Sequence, residues 1–375
     1  MAYPQIITDF LELVTTPSHS YKERILADLF KLKLKELDLD LEIEEDQVGA
    51  AIGGDTGNII VRWPGQENII PILFSAHLDR VSNPGHITPI VKENEDRIVS
   101  DGATILGADD ASGLAAILDG FRRVKAEGIP HGDIELLITV AEEVGLKGSR
   151  NLNYTKVKSK IGYVLDSSGP VGTIVNRAPT QKTVEITIHG RSAHAGMAPE
   201  EGINAIRVGA LAIASLPEGR LSPITTSNFG VISGGKATNI VCDLVKIKAE
   251  ARSHDQTELE AYVTKLEEAF KRFSSEAGAT VSFDWTVEYN AFYAKENEKV
   301  VTLASSALKN LGLDPKIISG GGGMDANHFN EHGIKSVGLS TGYKFVHTEK
   351  EEQPISELIL CGKVVAEIIR TIVNS

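Results

Sequence analysis

The sequence predicts an α/β domain, an open and mostly parallel mixed sheet with helices on both faces, that carries an inserted α+β domain. Three observations predict it. Short apolar runs of strand type alternate with helically spaced segments over the first 170 residues or so, the rhythm changes near residue 180, and the first rhythm resumes near residue 292.

Taken in order, residues 5–14 and 22–37 space their apolar positions as helices, and "NIIVRW" and "IIPILFSA" are apolar runs bounded by Gly, Pro and Asn. "ASGLAAILDGFRRVKAEG" follows Asp109 and Asp110 as a helix that stops at Gly128, before Pro130. "DIELLITVAEE" and "KIGYVLDSS" again have strand character. From residue 178 the order becomes strand "KTVEITIHG", helix 203–216, strand "NFGVISGG", long strand "ATNIVCDLVKIKAEARS", helix 256–277 and strand "TVSFDWTVEY". That set closes a small sandwich by itself, so 178–291 is expected as an insertion into a discontinuous domain of 1–177 and 292–375. A helix at 296–311, the strand "IKSVGLST" and a helix at 354–373 complete the chain.

Composition narrows the function classes. The chain has 375 residues, 42% hydrophobic and 24% charged, the balance of an ordinary globular protein with room for two cores. A formal net charge of −13 argues against nucleic acid or an anionic membrane as partner, because phosphate binding relies on positive surface. No apolar run reaches the roughly 18 residues that span a bilayer, and the N-terminus lacks the charged start and cleavage site of a signal peptide. Cys242 and Cys361 are too few and too far apart for a disulfide framework. The expected location is the cytoplasm.

The polar residues fall at strand ends. "IIPILFSAHLD" ends in His77 and Asp79, "LLITVAEE" in Glu142 and Glu143, and "GYVLD" in Asp166; Asp109 and Asp110 open a helix, and His347 follows "SVGLST". In open α/β sheets ligands bind outside the carboxyl ends of the strands, so these groups are expected to converge. Singly, each has an ordinary explanation, such as a helix cap or a solvated turn. Together they fit a pair of divalent ions: imidazole suits zinc and cobalt, carboxylate suits zinc and manganese, and one aspartate can bridge two ions. Cations also offset the repulsion of clustered carboxylates.

The motifs "SAHLDRV", "LGADDASG", "AEEVGLKGS", "VLDSSG", "GRSAHAG" and "GGMDANHF" stand in an order that resembles the dinuclear zinc peptidases of the peptidase T type, relatives of carboxypeptidase G and acetylornithine deacetylase. The resemblance covers nearly the whole chain. It implies a catalytic domain with a lid that also makes a homodimer interface. It further implies that His77 and Asp166 hold one ion, that Glu143 and His347 hold the other, and that Asp109 bridges them, often through a cis peptide to Asp110. Asp79 would orient the His77 ring, and Glu142 would be the general base for a metal-bridged hydroxide. His194 would stabilise the oxyanion, and Arg252 and Asn239 would bind the substrate's terminal carboxylate. The implied reaction is removal of the N-terminal residue from short peptides such as tripeptides.

Some positions depart from the family pattern. Ala111 stands where a Lys is common after Asp-Asp, and no Arg precedes "GGGGMDAN". These changes bear on tripeptide specificity rather than on the metal chemistry. An aminoacylase or deacetylase of N-acyl amino acids would use the same ligands, and a non-catalytic metal-containing binding protein would have no use for Glu142.

Overall fold

A computed structural model describes residues 3–81 and 86–373. The chain forms two compact units, Met1–Ala178 with Phe292–Ser375, and Pro179–Ala291.

The first unit is built on a mixed sheet. Its strands lie in the order Glu42–Glu45, Ile59–Trp63, Ile134–Thr139, Ile72–His77, Ile161–Ser167, Lys335–Ser340, Thr173–Ala178 and Phe292–Tyr293, with Lys316–Ser319 also pairing Thr173–Ala178. The four strands from Ile134–Thr139 to Lys335–Ser340 are mutually parallel, while the outer pairings are mainly antiparallel. The central strands are mostly apolar and almost entirely buried because both faces are covered. Phe74, Leu136, Ile138, Tyr163 and Leu165 enter one core, whereas Leu73, Leu137 and Val164, pointing the other way, enter a second. The helix Ala108–Glu127 is buried over most of its length because it packs on the sheet and also against the helices Gln5–Thr15 and Ile355–Val373. Gly107 and Gly128, both at positive φ, bound it.

The second unit is an antiparallel sheet ordered Gly219–Ser222, Thr225–Gly234, Leu244–Ser253, Thr180–His189 and Thr280–Tyr289. One face carries the helices Ala205–Ala214 and Gln256–Ala277, so its strands alternate: Val245, Ile247, Ala249 and Ala251 point into the core while the residues between them are more exposed. Asn204 and Asp255 cap the two helices by accepting amides of their first turns.

Three differences from the sequence reading have physical causes. The segment 237–243, expected as part of a long strand, is a loop whose backbone bonds to residues 193 and 195 instead of to the sheet. The small sheet of Ile90–Lys92, Arg97–Val99 and Glu352–Pro354 is too short to show periodicity, as are Phe292–Tyr293 and the helix Ala326–Glu331. The strand Ile134–Thr139 ends three residues before Glu142, which therefore sits in a turn.

Gly113 lets the helix Ala108–Glu127 approach the strand end that carries Asp166: a Cβ there would lie 2.3 Å from the Leu165 carbonyl oxygen. Gly113→Ala is expected to lower the unfolding free energy by about 1–3 kcal/mol, the scale of overpacking a tight site. Denaturant titration of the variant beside the parent chain checks this, and an unchanged midpoint would contradict it.

Candidate metal centre

Parallel strands deliver their carboxyl ends to one rim. His77 closes the strand Ile72–His77, Asp166 lies near the end of its neighbour Ile161–Ser167, and Glu142 and Glu143 follow Ile134–Thr139 on the other side. His347, at φ 62°, is presented by the loop after Lys335–Ser340. Asp109 and Asp110 enter from the start of the helix Ala108–Glu127, joined by a cis peptide bond.

Asp109 sits between the two imidazoles. Its Oδ1 is 3.1 Å from His77 Nε2 and its Oδ2 is 3.3 Å from His347 Nε2. Asp166 Oδ1 lies 3.6 Å from His77 Nε2, and Glu143 Oε1 lies 3.0 Å from His347 Nε2. Each histidine is thus matched with one further carboxylate and one oxygen of a shared aspartate. His77, Asp109 and Glu143 have ligand atoms close enough together for a cation, as do His77, Asp110 and Asp166. Asp110 is nevertheless engaged elsewhere, since its oxygens accept the amides of His77 (3.2 Å) and Gly113 (3.0 Å). The donor set, two imidazole nitrogens and three carboxylates with one placed to bridge, fits two divalent ions.

Glu142, like His347, belongs to neither group of three, and it lines a cavity of about 350 Å³ together with Asp109, Glu143, Asp166, Tyr343 and His347. Glu143 pairs with the His347 ring.

The family models match in the same places as these features: "Peptidase dimerisation domain" over residues 180–277 and "Peptidase family M28" over 58–186. An uncharacterized protein of Bacillus subtilis, YqjE, is 39% identical over 97% of each chain. Two solved structures cover nearly all of both chains. Aminopeptidase PepT from Bacillus cereus is 41% identical, with a TM-score of 0.87 over 98% of each chain. A tripeptidase from Staphylococcus aureus is 38% identical, with a TM-score of 0.92 over 99% of this chain and 98% of the other. The chain belongs to the peptidase T-like metallopeptidases. It is a metal-dependent exopeptidase, which removes the non-catalytic reading, and divalent metal ions are its cofactors.

The crowding of charge in this rim shifts the pKa values of its members. Burial disfavours a charged His77, yet the Asp166 and Asp109 carboxylates carry its pKa well above the usual range. Asp109 and Glu143 push His347 up to about 10. Burial opposes ionisation of Asp109, but hydrogen bonds with His347 and His77 hold its carboxyl below the normal value. Burial and the Asp109 charge push Asp166 up to about 7. Burial, with Asp166 next, raises Glu142 well above an ordinary glutamate.

The His77 ring meets the main-chain carbonyl of Asp79 through Nδ1 at 2.8 Å, and the Asp79 carboxylate stands 3.7 Å from the same nitrogen. That carboxylate also accepts the amides of Glu142 (2.8 Å) and Glu143 (3.2 Å) and the Ser20 hydroxyl (2.6 Å), so it shapes the turn as well. Two further residues serve the rim: Glu351, four positions after His347 in "GYKFVHTEKEE", and Tyr343. Glu351 accepts the amides of Gly107 (2.6 Å) and Asp109 (3.2 Å), and the Tyr343 hydroxyl donates to Asp166 at 3.2 Å.

His194, Asn239 and Arg252 all lie in the unit Pro179–Ala291. His194 and Asn239 are exposed, and their segments are joined by the Ala195 amide donating to the Asn239 carbonyl at 3.0 Å. Arg252 is paired through Nε (2.9 Å) and Nη2 (3.0 Å) with the Glu250 carboxylate in a bidentate fork.

Metal ligands bind deprotonated, so ions must displace these protons. The raised His347 pKa means that its proton is present throughout pH 6–9. Loading the metal-free protein at pH 7 is expected to release at least one proton, with affinity falling as pH is lowered, by about tenfold per unit for each proton released. Calorimetry in buffers of different ionisation enthalpy reads the proton count; an absence of release would contradict the assignment of His347.

Proposed function

We propose that this enzyme removes the N-terminal residue from short peptides with a free C-terminus, tripeptides among them, using two ions that are zinc in the first instance, with cobalt or manganese as substitutes. The observation that carries this reading is Asp109 between His77 and His347 beside the free carboxylate of Glu142. His77 and Asp166 would hold one ion, and Glu143 and His347 the other.

Bound there, such ions make water acidic enough to ionise near neutral pH and polarise the scissile carbonyl. The chain's own part is positional and protonic. Glu142 takes the water's proton and passes it to the leaving amine, a role suited to a carboxyl whose pKa is raised by burial. The Asp79 carboxylate fixes the turn that aims it. His194 would donate to the developing oxyanion, and Arg252 and Asn239 would hold the terminal carboxylate of the peptide.

The second unit supports a homodimer. The short strand Gly219–Ser222 covers only the Thr225–Ser227 part of its neighbour, and Val231 and Ile232 on the uncovered remainder are each 53% exposed. Ile206, Leu211 and Met197 are exposed apolar side chains of the same unit. No helix among the described residues is long and apolar enough to cross a membrane; a cytoplasmic peptide pool is the proposed setting. Aminoacylase chemistry stays as the second reading because the metal rim would serve it equally.

Glu142→Gln should keep its full metal content and lose at least about 10²-fold in kcat on a tripeptide; near-normal turnover would remove Glu142 from the reaction. Assayed against tripeptides, dipeptides and N-acetyl amino acids, the parent enzyme is expected to favour the peptides. Preference for N-acetyl amino acids would move the assignment to the aminoacylases. In sedimentation velocity the parent chain should run as a dimer and the Val231→Asp, Ile206→Asp double variant as a monomer; a monomeric parent would contradict the interface.

A further inference from the structure

The turn bearing Glu142 and Glu143 is held by side chains from distant segments, not by the sheet. The Val140 amide donates to Asn58 Oδ1 (3.1 Å), the Ala141 amide to Glu23 Oε1 (3.0 Å), and the Glu142 and Glu143 amides to the two oxygens of Asp79. Ala141 is fully buried at φ 50°, a left-handed conformation that is unfavourable for a residue with a Cβ. Something must hold it there. Its carbonyl accepts the Lys147 amide (3.0 Å), which closes the far side of the turn. Its amide has Glu23.

Glu23 is an unusual residue to find in that place. It is fully buried, and its Oε2 has no hydrogen-bond partner among the described residues. Buried carboxylates are expensive, and each that is left partly unsatisfied calls for a reason. Its Oε1 accepts two amides, those of Ala141 and Tyr21 (2.9 Å), the latter at φ 70°. The segment that brings it in is tied down along its length. Ser18 donates its hydroxyl to the Leu78 carbonyl (2.7 Å) and accepts the Arg80 amide (2.9 Å), and Ser20 donates to Asp79. Residues 18–23 therefore press on both the strand end that carries His77 and the turn that carries the two glutamates.

We propose that Glu23 is a positioning residue for the reaction: by pinning the Ala141 amide it holds the turn in the conformation that presents Glu142 to the pocket. This rests on Glu142 as the proton acceptor. A purely structural Glu23 would add stability and nothing else. A positioning Glu23 sets the aim of the adjacent side chain, and a displacement near 1 Å at a reacting group can cost about 10²-fold.

The geometry separates acceptor reach from the carboxyl group. Glu23→Gln keeps an oxygen at the same reach, whereas Glu23→Asp keeps the carboxyl group and withdraws the oxygen by one methylene. Both are assayed for kcat, KM, metal per chain, thermal midpoint, and amide exchange over residues 139–149. Glu23→Asp should lose about 10- to 100-fold in kcat with KM within about threefold, unchanged metal content and faster exchange in that segment. Glu23→Gln should remain within about threefold of the parent on every readout. Parent-like kcat in Glu23→Asp would overturn the proposal, as would equal losses in both variants or metal loss in Glu23→Asp. If the parent chain hydrolyses no peptide, the proposed function falls while the exchange data still decide whether Glu23 holds the turn.

Discussion

One carboxylate facing two imidazoles organises this molecule. Asp109 lies within hydrogen-bond distance of His77 on one side and His347 on the other, and the next carboxylates, Asp166 and Glu143, stand behind those rings. So many like charges in a buried rim are tolerable only if positive charge is shared among them. The carboxylates raise the pKa of both imidazoles, which supplies positive charge there; in the proposed assignment the same oxygens and nitrogens would hold the divalent ions. The raised histidine pKa values and the cofactor requirement are two consequences of that one arrangement.

The rim is kept open by anchoring its backbone. Asp79 takes the amides of Glu142 and Glu143, Asp110 those of His77 and Gly113, and Glu351 those of Gly107 and Asp109. In each case a buried carboxylate spends its oxygens on main-chain N–H groups next to a residue of the rim. Such bonds are directional. They leave the rim side chains free to face the pocket. Proximity of the reacting groups then comes from the fold, before any ion or peptide arrives.

How much of this was legible in the sequence follows from where each residue stands. His77 and Asp166 end apolar runs, and parallel topology takes such ends to one rim, so their meeting could be expected from pattern alone. Asp109 and His347 depend on loops, and their place came from motif order. Spacing puts Asp79 next to His77 but does not reveal that its main-chain carbonyl also meets the ring, nor that its carboxylate takes the amides of Glu142 and Glu143. Asn239 was placed on a strand because "ATNIVCD" is apolar enough to continue one; the loop forms because residues 193–195 offer it backbone partners. Glu23 had no signal at all. A glutamate just before a helix reads as solvated, and only the fold buries it against Ala141.

The central claim is that Asp109 bridges two ions and leaves Glu142 unligated. Anomalous diffraction from crystals of the zinc-loaded enzyme tests it most directly. Two peaks about 3.5–4 Å apart are predicted, one touching His77 and Asp166, the other Glu143 and His347, each sharing an oxygen of Asp109. A single peak, or a Glu142 oxygen within bonding distance of either ion, would contradict it.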